Sequence, residues 1–206
     1  MSVSSRPTRA AAIAAVLALV VAGCGERSGK VLDEPVFPPP APPVDTSVPA
    51  EQAAETTMAP PLTLVTPWVD GAAIPERNTC ADAGVSPAMT WSNVPPGTAE
   101  LAVSVVDLDA ASFVHWIVYG IAPVEPGLPE GQLPEATFEW RNSAGQPGWF
   151  APCPPAGETH RYQITVYALN QQLESADDAS PTEVLSILDA ITIARSSVIG
   201  LTAGSG

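Results

Sequence analysis

Basic residues are scarce in this sequence of 206 residues. Eight Lys and Arg stand against 22 Asp and Glu, and the formal net charge is −14. A surface this acidic repels phosphate backbones and anionic lipid headgroups. The composition therefore argues against nucleic acid as a partner and against binding to a membrane through basic side chains.

A long apolar segment is also missing. The longest apolar run, Ala10 to Gly23, holds 14 residues, whereas a helix that spans a bilayer core needs roughly 20. The run follows Arg6 and Arg9, and no acidic residue precedes it. This is the layout of a signal peptide. We predict a signal peptide over residues 1–23, and a permanent transmembrane helix is the less favoured alternative.

The apolar run ends in the sequence Val21-Ala22-Gly23-Cys24, which resembles the bacterial lipobox. The resemblance implies cleavage before Cys24 and attachment of a diacylglycerol to its thiol. Each acyl methylene buried in the bilayer contributes ~0.8 kcal/mol, so two or three chains such as palmitate anchor a protein stably. We predict a lipid anchor at the bacterial cell membrane, with the protein facing away from the cytoplasm. An ordinary cleaved signal peptide is the alternative.

Residues 24–61 are rich in proline, including Pro38-Pro39-Pro40 and Pro42-Pro43. Proline favours the extended polyproline II form, which at ~3.1 Å per residue gives this segment a reach on the order of 100 Å. We predict a disordered tether. Residues 62–206 remain, and this is the size of one domain with a sizeable core.

Short apolar runs separated by turn residues predict strands in this domain. The predicted strands are Leu62–Val65, Leu101–Val106, Phe113–Ile121 and Tyr162–Leu169. The second run hardly alternates between apolar and polar residues, which indicates a central strand covered on both faces. Residues 181–197 show helical spacing, after a Ser180 cap with Glu183 three residues on. The sequence predicts a mainly β domain with one or more late helices.

Polar side chains gather at the ends of the predicted strands, where rigid scaffolds hold binding groups. The domain has two histidines, and both fall at such ends. The residues concerned are Asp107 and Asp109 after the second strand, His115 and Trp116 in the third, and His160, Arg161 and Tyr162 at the start of the fourth.

Motifs along the whole domain resemble the phosphatidylethanolamine-binding protein family, and more closely its bacterial Raf kinase inhibitor-like branch. The resemblance implies a large antiparallel sheet packed on a smaller one, with a few flanking helices, and a small pocket for phosphate, phosphoryl headgroups or carboxylates. The motifs are Asp70-Gly71, Ile74-Pro75, Thr79-Cys80, Ser86-Pro87-Ala88-Met89-Thr90-Trp91, Asp107-Leu108-Asp109, His115-Trp116, Gly148-Trp149-Phe150-Ala151-Pro152-Cys153-Pro154-Pro155 and His160-Arg161-Tyr162.

The resemblance places the ligand pocket on a defined set of residues. Its binding residues are Asp107, His115, Pro154, His160 and Tyr162, with Trp116, Pro152 and Ala151 as walls or loop contacts. The chain departs from the family pattern twice. It reads Asp107-Leu108-Asp109-Ala110-Ala111 where the family usually has Asp-Pro-Asp-x-Pro, and it has Ala151 where Gly is commoner.

We expect Asp107 to orient and charge one imidazole, because a neighbouring carboxylate favours the protonated form of histidine. His115 and His160 would then supply ring N–H donors, Tyr162 a phenol O–H, and loop 151–157 backbone N–H groups. The alternative is that Asp107 and His115 form a buried pair that only stabilises the sheet edge.

The predicted function is non-enzymatic binding of a small anionic ligand, without a cofactor or a metal. One alternative is a regulator that docks a protein partner in the cell envelope, such as a protease, as the family's inhibitor-like name suggests. Another is a weak phosphoester hydrolase. A thiol nucleophile at Cys153 with His160 as base, or a metal held by His and Asp side chains, is less favoured. The nearest match to a serine-hydrolase elbow, Gly84-Val85-Ser86-Pro87-Ala88, lacks the last glycine.

Cys80 and Cys153 are the cysteines that remain once Cys24 carries a lipid. An oxidising compartment allows these two thiols to form one disulfide. Cytoplasmic relatives also carry cysteines in these two motifs, so the family pattern leaves the pairing open. The oligomeric state is equally open.

Overall fold

The computed structural model describes residues 59–174 and 178–204. The predicted signal peptide, the lipidation site Cys24 and the tether up to residue 58 lie outside the described residues. Within them the elements are β1 (Thr63–Val65), β2 (Ala72–Ala73), a 3-10 turn (Glu76–Asn78), β3 (Met89–Ser92), β4 (Glu100–Asp107), β5 (Phe113–Ile121), β6 (Gly127–Leu128), β7 (Phe138–Glu139), β8 (Thr159–Leu169), α1 (Pro181–Ile191) and β9 (Thr192–Ala203).

The strands form two sheets. The larger sheet has six strands in the order β2-β9-β8-β4-β5-β7, and the smaller has three in the order β1-β3-β6. All neighbours are antiparallel except the short β2–β9 pair. The predicted architecture of a large antiparallel sheet packed on a smaller one is therefore confirmed.

The larger sheet is covered on both faces. On one face, Val103 and Val105 of β4 join a core cluster that contains Leu64 and Trp91 of the smaller sheet. On the other face, Ala102 packs in a cluster with apolar residues of α1. Burial on both sides explains why the β4 sequence is almost continuously apolar.

Helix α1 begins as predicted but ends earlier. The Ser180 side chain accepts from the Glu183 N–H, and the Glu183 carboxylate accepts from the Ser180 N–H, so the capping box is present. The helix ends at Ile191, and the prediction of helix through residue 197 was wrong. Residues 192–197 instead begin β9, which pairs with β8 over its whole length.

The reason lies in the β9 sequence. It starts with the β-branched pair Thr192 and Ile193, and its exposure alternates residue by residue over the first half of the strand. β-Branched residues and a period of two favour a strand. Helix in this segment would also leave one edge of β8 without its partner, exposing a row of backbone groups.

Candidate functional site

Three strand ends converge on one cavity. Strand β4 lies between β5 and β8, and Asp107 at its end pairs in register with Phe113 of β5 and Tyr162 of β8. A cavity of about 250 Å³ opens there. Its lining residues are Asp107, Ala110, Phe113, His115, Phe150, Cys153, Pro154, Pro155, His160 and Tyr162.

A β-bulge turns His115 into this cavity. Val106 pairs with Val114 whereas Val105 pairs with Trp116, so His115 is an extra residue in β5 opposite a continuous stretch of β4. A bulge bends its strand and re-aims a side chain. The histidine thus joins the cavity although the following residue, Trp116, packs in the core between the sheets.

Five of the eight predicted pocket residues line the cavity, and three do not. The Trp116 indole N–H donates to Glu139 Oε1 at 2.7 Å. Trp116 itself lines a separate cavity of about 360 Å³. The Pro152 carbonyl accepts from the Cys80 N–H at 3.0 Å. Ala151 and Pro152 therefore lie in the loop beside the cavity but do not line it.

Asp107 is the hub of the site and is only 3% exposed. Its Oδ2 accepts from His160 Nδ1 at 2.7 Å, and its Oδ1 accepts from the Asp109 N–H at 2.9 Å. His115 Nε2 lies 4.0 Å from Oδ2, beyond hydrogen-bonding distance. The imidazole that Asp107 orients is therefore that of His160.

His160 is held between two carboxylates. Besides Asp107 at Nδ1, Glu158 Oε2 lies 3.1 Å from Nε2. The pKa of His160 is raised above its ordinary value. The hydrogen bond to Asp107 is the largest cause, and the hydrogen bond to Glu158 is the second. These two acceptors favour the imidazolium form, in which both ring nitrogens donate.

His115 has the opposite character. Burial is the main cause that lowers its pKa below the ordinary value, although Phe150 and Asp107 oppose the shift. Its Nδ1 lies 2.6 Å from the Phe150 carbonyl oxygen, and a carbonyl can only accept, so Nδ1 carries the proton. Neutral His115 then presents a lone pair at Nε2. This differs from the expectation that both histidines donate to a ligand.

Tyr162 lines the cavity with a phenol that stays protonated. Burial, and then the nearby Asp107 charge, raises the pKa of Tyr162 well above its ordinary value. The phenol therefore carries no charge near neutral pH.

The loop after β4 lacks the two family prolines and is held by side-chain and turn hydrogen bonds. The Asp109 side chain accepts from the Arg161 backbone N–H at 2.7 Å and from its guanidinium at 2.7 and 3.1 Å. This Arg161 contact lowers the pKa of Asp109 to about 2. The Phe113 N–H donates to the Ala110 carbonyl at 3.0 Å. Side-chain and turn hydrogen bonds here replace the rigidity that proline would supply.

The loop that precedes β8, residues 150–158, is held by a disulfide and by a hydrogen bond from Gly204, the residue after β9. Cys80 and Cys153 are joined in the structure, with Cα atoms 5.3 Å apart. The Gly204 N–H donates to the Glu158 carbonyl at 2.8 Å, and the Glu158 N–H donates to Pro155 at 3.0 Å. Because Cys153 is bonded, it presents no thiol beside His160 in this structure.

Three residues at the site were not predicted from the sequence: Glu158 and the aromatic walls Phe113 and Phe150. Glu158 precedes His160 by two residues, and residues two apart on an extended chain share a face. That spacing was a usable signal for Glu158. Phe150 carried none, because a loop joins it to the cavity through its backbone bonds to His115.

Two features are absent from the described residues. Within residues 59–174 and 178–204, no group of three or more His, Cys, Asp or Glu is arranged to hold a metal ion. In the same part of the chain, no helix combines the length and the apolar character needed to cross a membrane.

The fold and the cavity together define a mainly β protein of two packed sheets. A small cavity with a buried carboxylate lies where the central strands of the larger sheet end. Residues 65–203 match the family model described as phosphatidylethanolamine-binding protein. The chain belongs to this family, and the resemblance drawn from its motifs is confirmed.

Relatives extend this result. A Mycobacterium tuberculosis protein named "Putative lipoprotein LppC" is 39% identical over 193 residues, which cover 91% of this chain and 93% of that protein. A UPF0098 protein of Methanothermobacter thermautotrophicus is 36% identical over 139 residues, covering 64% of this chain and 91% of the relative. The crystal structure of E. coli YbcL, described as a new member of the mammalian PEBP family, superposes with a TM-score of 0.64 at 28% identity, covering 69% of this chain and 98% of YbcL.

Proposed function

We propose that this family member binds small anions without chemical conversion, and that a lipid on Cys24 holds it at the membrane. One observation carries the binding proposal. Asp107 holds His160 at 2.7 Å at a cavity of about 250 Å³, which favours a positive charge inside a strongly acidic protein. A phosphate, phosphoryl or carboxylate oxygen is the acceptor that an imidazolium N–H binds best.

The walls of the cavity suit an anion that carries a small apolar group. Phe113, Phe150 and Pro154 line it beside the polar groups. Aromatic and proline side chains exclude water, and a lower local dielectric strengthens a charged hydrogen bond. A single imidazolium near solvent supports modest affinity rather than tight binding.

A binding role without catalysis is supported by the state of the reactive groups. The Cys153 sulfur is bonded to Cys80, and the raised pKa of Tyr162 keeps its phenol protonated. Nucleophilic catalysis needs a group with an accessible anionic form or an adjacent free base. Neither side chain meets this need.

The proposed anchor rests on the sequence Val21-Ala22-Gly23-Cys24. The lipoprotein name of the Mycobacterium tuberculosis relative, which aligns over 91% of this chain, agrees with it. In this proposal the acyl chains hold the domain at the membrane, and the cavity is a separate site for an anionic ligand.

Replacing His160 by Ala should weaken acetate binding by about 10-fold or more, because hydrogen bonds to charged groups contribute roughly 1.5–3 kcal/mol. Isothermal titration calorimetry of acetate with the full chain, at about pH 6 where histidine is largely protonated, measures this change. Thermal unfolding monitored by circular dichroism verifies that the variant is folded.

His115→Ala is the matched control. It removes an imidazole from the same cavity, but one whose proton is already donated to Phe150. We expect a smaller loss than for His160→Ala, and loss of measurable binding in the double variant. Acetate binding that is unchanged in the folded double variant would show that the cavity is not the anion site.

A further inference from the structure

The ring N–H groups of both histidines in the cavity already have acceptors within the protein. His160 donates from Nδ1 to Asp107 and from Nε2 to Glu158. His115 donates to the Phe150 carbonyl. An incoming anion therefore finds no free imidazole N–H until one of these bonds opens.

The bonds differ in how readily they open. Asp107 is buried and accepts two hydrogen bonds. The Phe150 acceptor is a backbone carbonyl, and the Phe150 N–H in turn donates to the His115 carbonyl. The Glu158 side chain, in contrast, is 60% exposed. Rotation of its side chain breaks one hydrogen bond and returns the carboxylate to water, which costs little.

We infer that Glu158 is an internal competitor that occupies the position of the ligand's anionic group on His160 Nε2, and that it thereby sets the affinity and the charge selectivity of the site. This inference rests on the proposed anion-binding function. A ligand must displace the Glu158 carboxylate. The ligand's apparent affinity is therefore its intrinsic affinity multiplied by the fraction of molecules in which His160 Nε2 is not occupied by Glu158.

Glu158 also stays near the bound ligand after displacement. Its backbone is fixed by hydrogen bonds to Gly204 and Pro155, so only the side chain can swing away. With neutral His115, the cavity then combines one imidazolium at His160 with two carboxylates, Asp107 and Glu158. Repulsion between the tethered carboxylate and the ligand grows with the ligand's charge. The site should therefore prefer a monoanion over a dianion.

Four proteins and two probes test this inference. The proteins are the parent full chain in a non-ionic detergent and the variants Glu158→Ala, Glu158→Gln and Glu135→Gln. The probes are acetate, a monoanion, and sulfate, a dianion. Calorimetric titrations at about pH 6, below the ordinary pKa of histidine, keep His160 protonated in each protein.

The control variant Glu135→Gln makes the same change of charge at an exposed position that lines a different cavity. Substitution at position 158 leaves the fold intact because the side chain is largely exposed and its backbone bonds remain.

We expect Glu158→Ala to bind acetate about 3- to 10-fold more tightly than the parent, as removal of a weak exposed competitor predicts. The gain for sulfate should be larger than that for acetate. Glu158→Gln should gain less than Glu158→Ala, since the amide oxygen can still accept from Nε2. Glu135→Gln should bind both anions as the parent does.

The outcomes separate the inference from the proposed function. Equal affinities of the parent and both Glu158 variants would overturn the inference and leave the anion site standing. A gain in Glu135→Gln as large as that in Glu158→Gln would also overturn it, because the effect would then follow net charge alone. No binding of either anion by any of the four proteins would overturn the proposed function, and the inference with it.

Discussion

The Asp107→Asn variant should have a free energy of unfolding about 3 kcal/mol lower than the parent protein near pH 6, because breaking a buried ion pair at one partner costs roughly 3–5 kcal/mol. Asp107 is 3% exposed and accepts from His160 and the Asp109 N–H. An amide has one acceptor oxygen and a donor NH₂ group. The oxygen of asparagine can therefore accept only one of these two hydrogen bonds, and its NH₂ group faces the other donor.

The pH dependence of this loss follows from His160. Its pKa in the folded protein is raised above the ordinary value of 6.5, chiefly by Asp107. A raised folded pKa contributes stability that is fully present below the unfolded pKa and is lost as the pH rises through the folded value. The difference between parent and variant should therefore be largest at and below about pH 6 and shrink at higher pH.

Urea denaturation at several pH values measures the effect, with Asp109→Asn as the control. Asp109 carries a similar set of hydrogen bonds, but its pair with Arg161 is exposed to solvent, where ion pairs contribute little to stability. A loss in Asp107→Asn no greater than that in Asp109→Asn would show that Asp107 is not the hub of the site.

Replacing Cys24 by Ser should move the protein from the membrane fraction to the soluble fraction of the cell. In the proposed protein the acyl chains supply the membrane affinity, at ~0.8 kcal/mol for each buried methylene. The part of the chain from Cys24 onward carries six basic and 22 acidic residues, and so strong a negative charge repels anionic lipids. The parent should incorporate radiolabelled palmitate, and the Cys24→Ser variant should not.

Alkaline extraction of membranes distinguishes the anchor from the alternatives. The parent should remain with the lipid after extraction. If Cys24→Ser also remains there, residues 10–23 themselves hold the protein in the membrane. If the parent is released into the medium without a lipid, the segment is an ordinary signal peptide.

The sequence predicted the central strands of the fold because their residues satisfy local and global preferences together. The apolar run of Leu101–Val106 became the core of β4, and Phe113–Ile121 is β5 as predicted. The prediction of helix after Ile191 was wrong because the apolar residues of this segment fit both a helical and an extended period. Its pairing with β8 decided the outcome, and such long-range pairing is not visible in a local pattern.

The candidate site was predictable as a set of residues but not as a set of bonds. Strand ends placed Asp107, His115 and His160 together. Which histidine Asp107 holds depends on the bulge at His115 and on the register of β8, neither of which the sequence specifies. Glu158 was overlooked because an acidic residue is not an expected part of an anion site.

The pH dependence of acetate binding by the full chain is the decisive measurement for anion binding at His160. Acetate is ionised throughout the range between about pH 6 and pH 9, so over that range the histidines are the titrating groups expected in the cavity. We expect saturable binding that persists above the ordinary histidine pKa, because the pKa of His160 is raised. This binding should be lost as the pH rises further and the imidazolium deprotonates. Binding that is independent of pH, or absent at pH 6, would contradict this expectation.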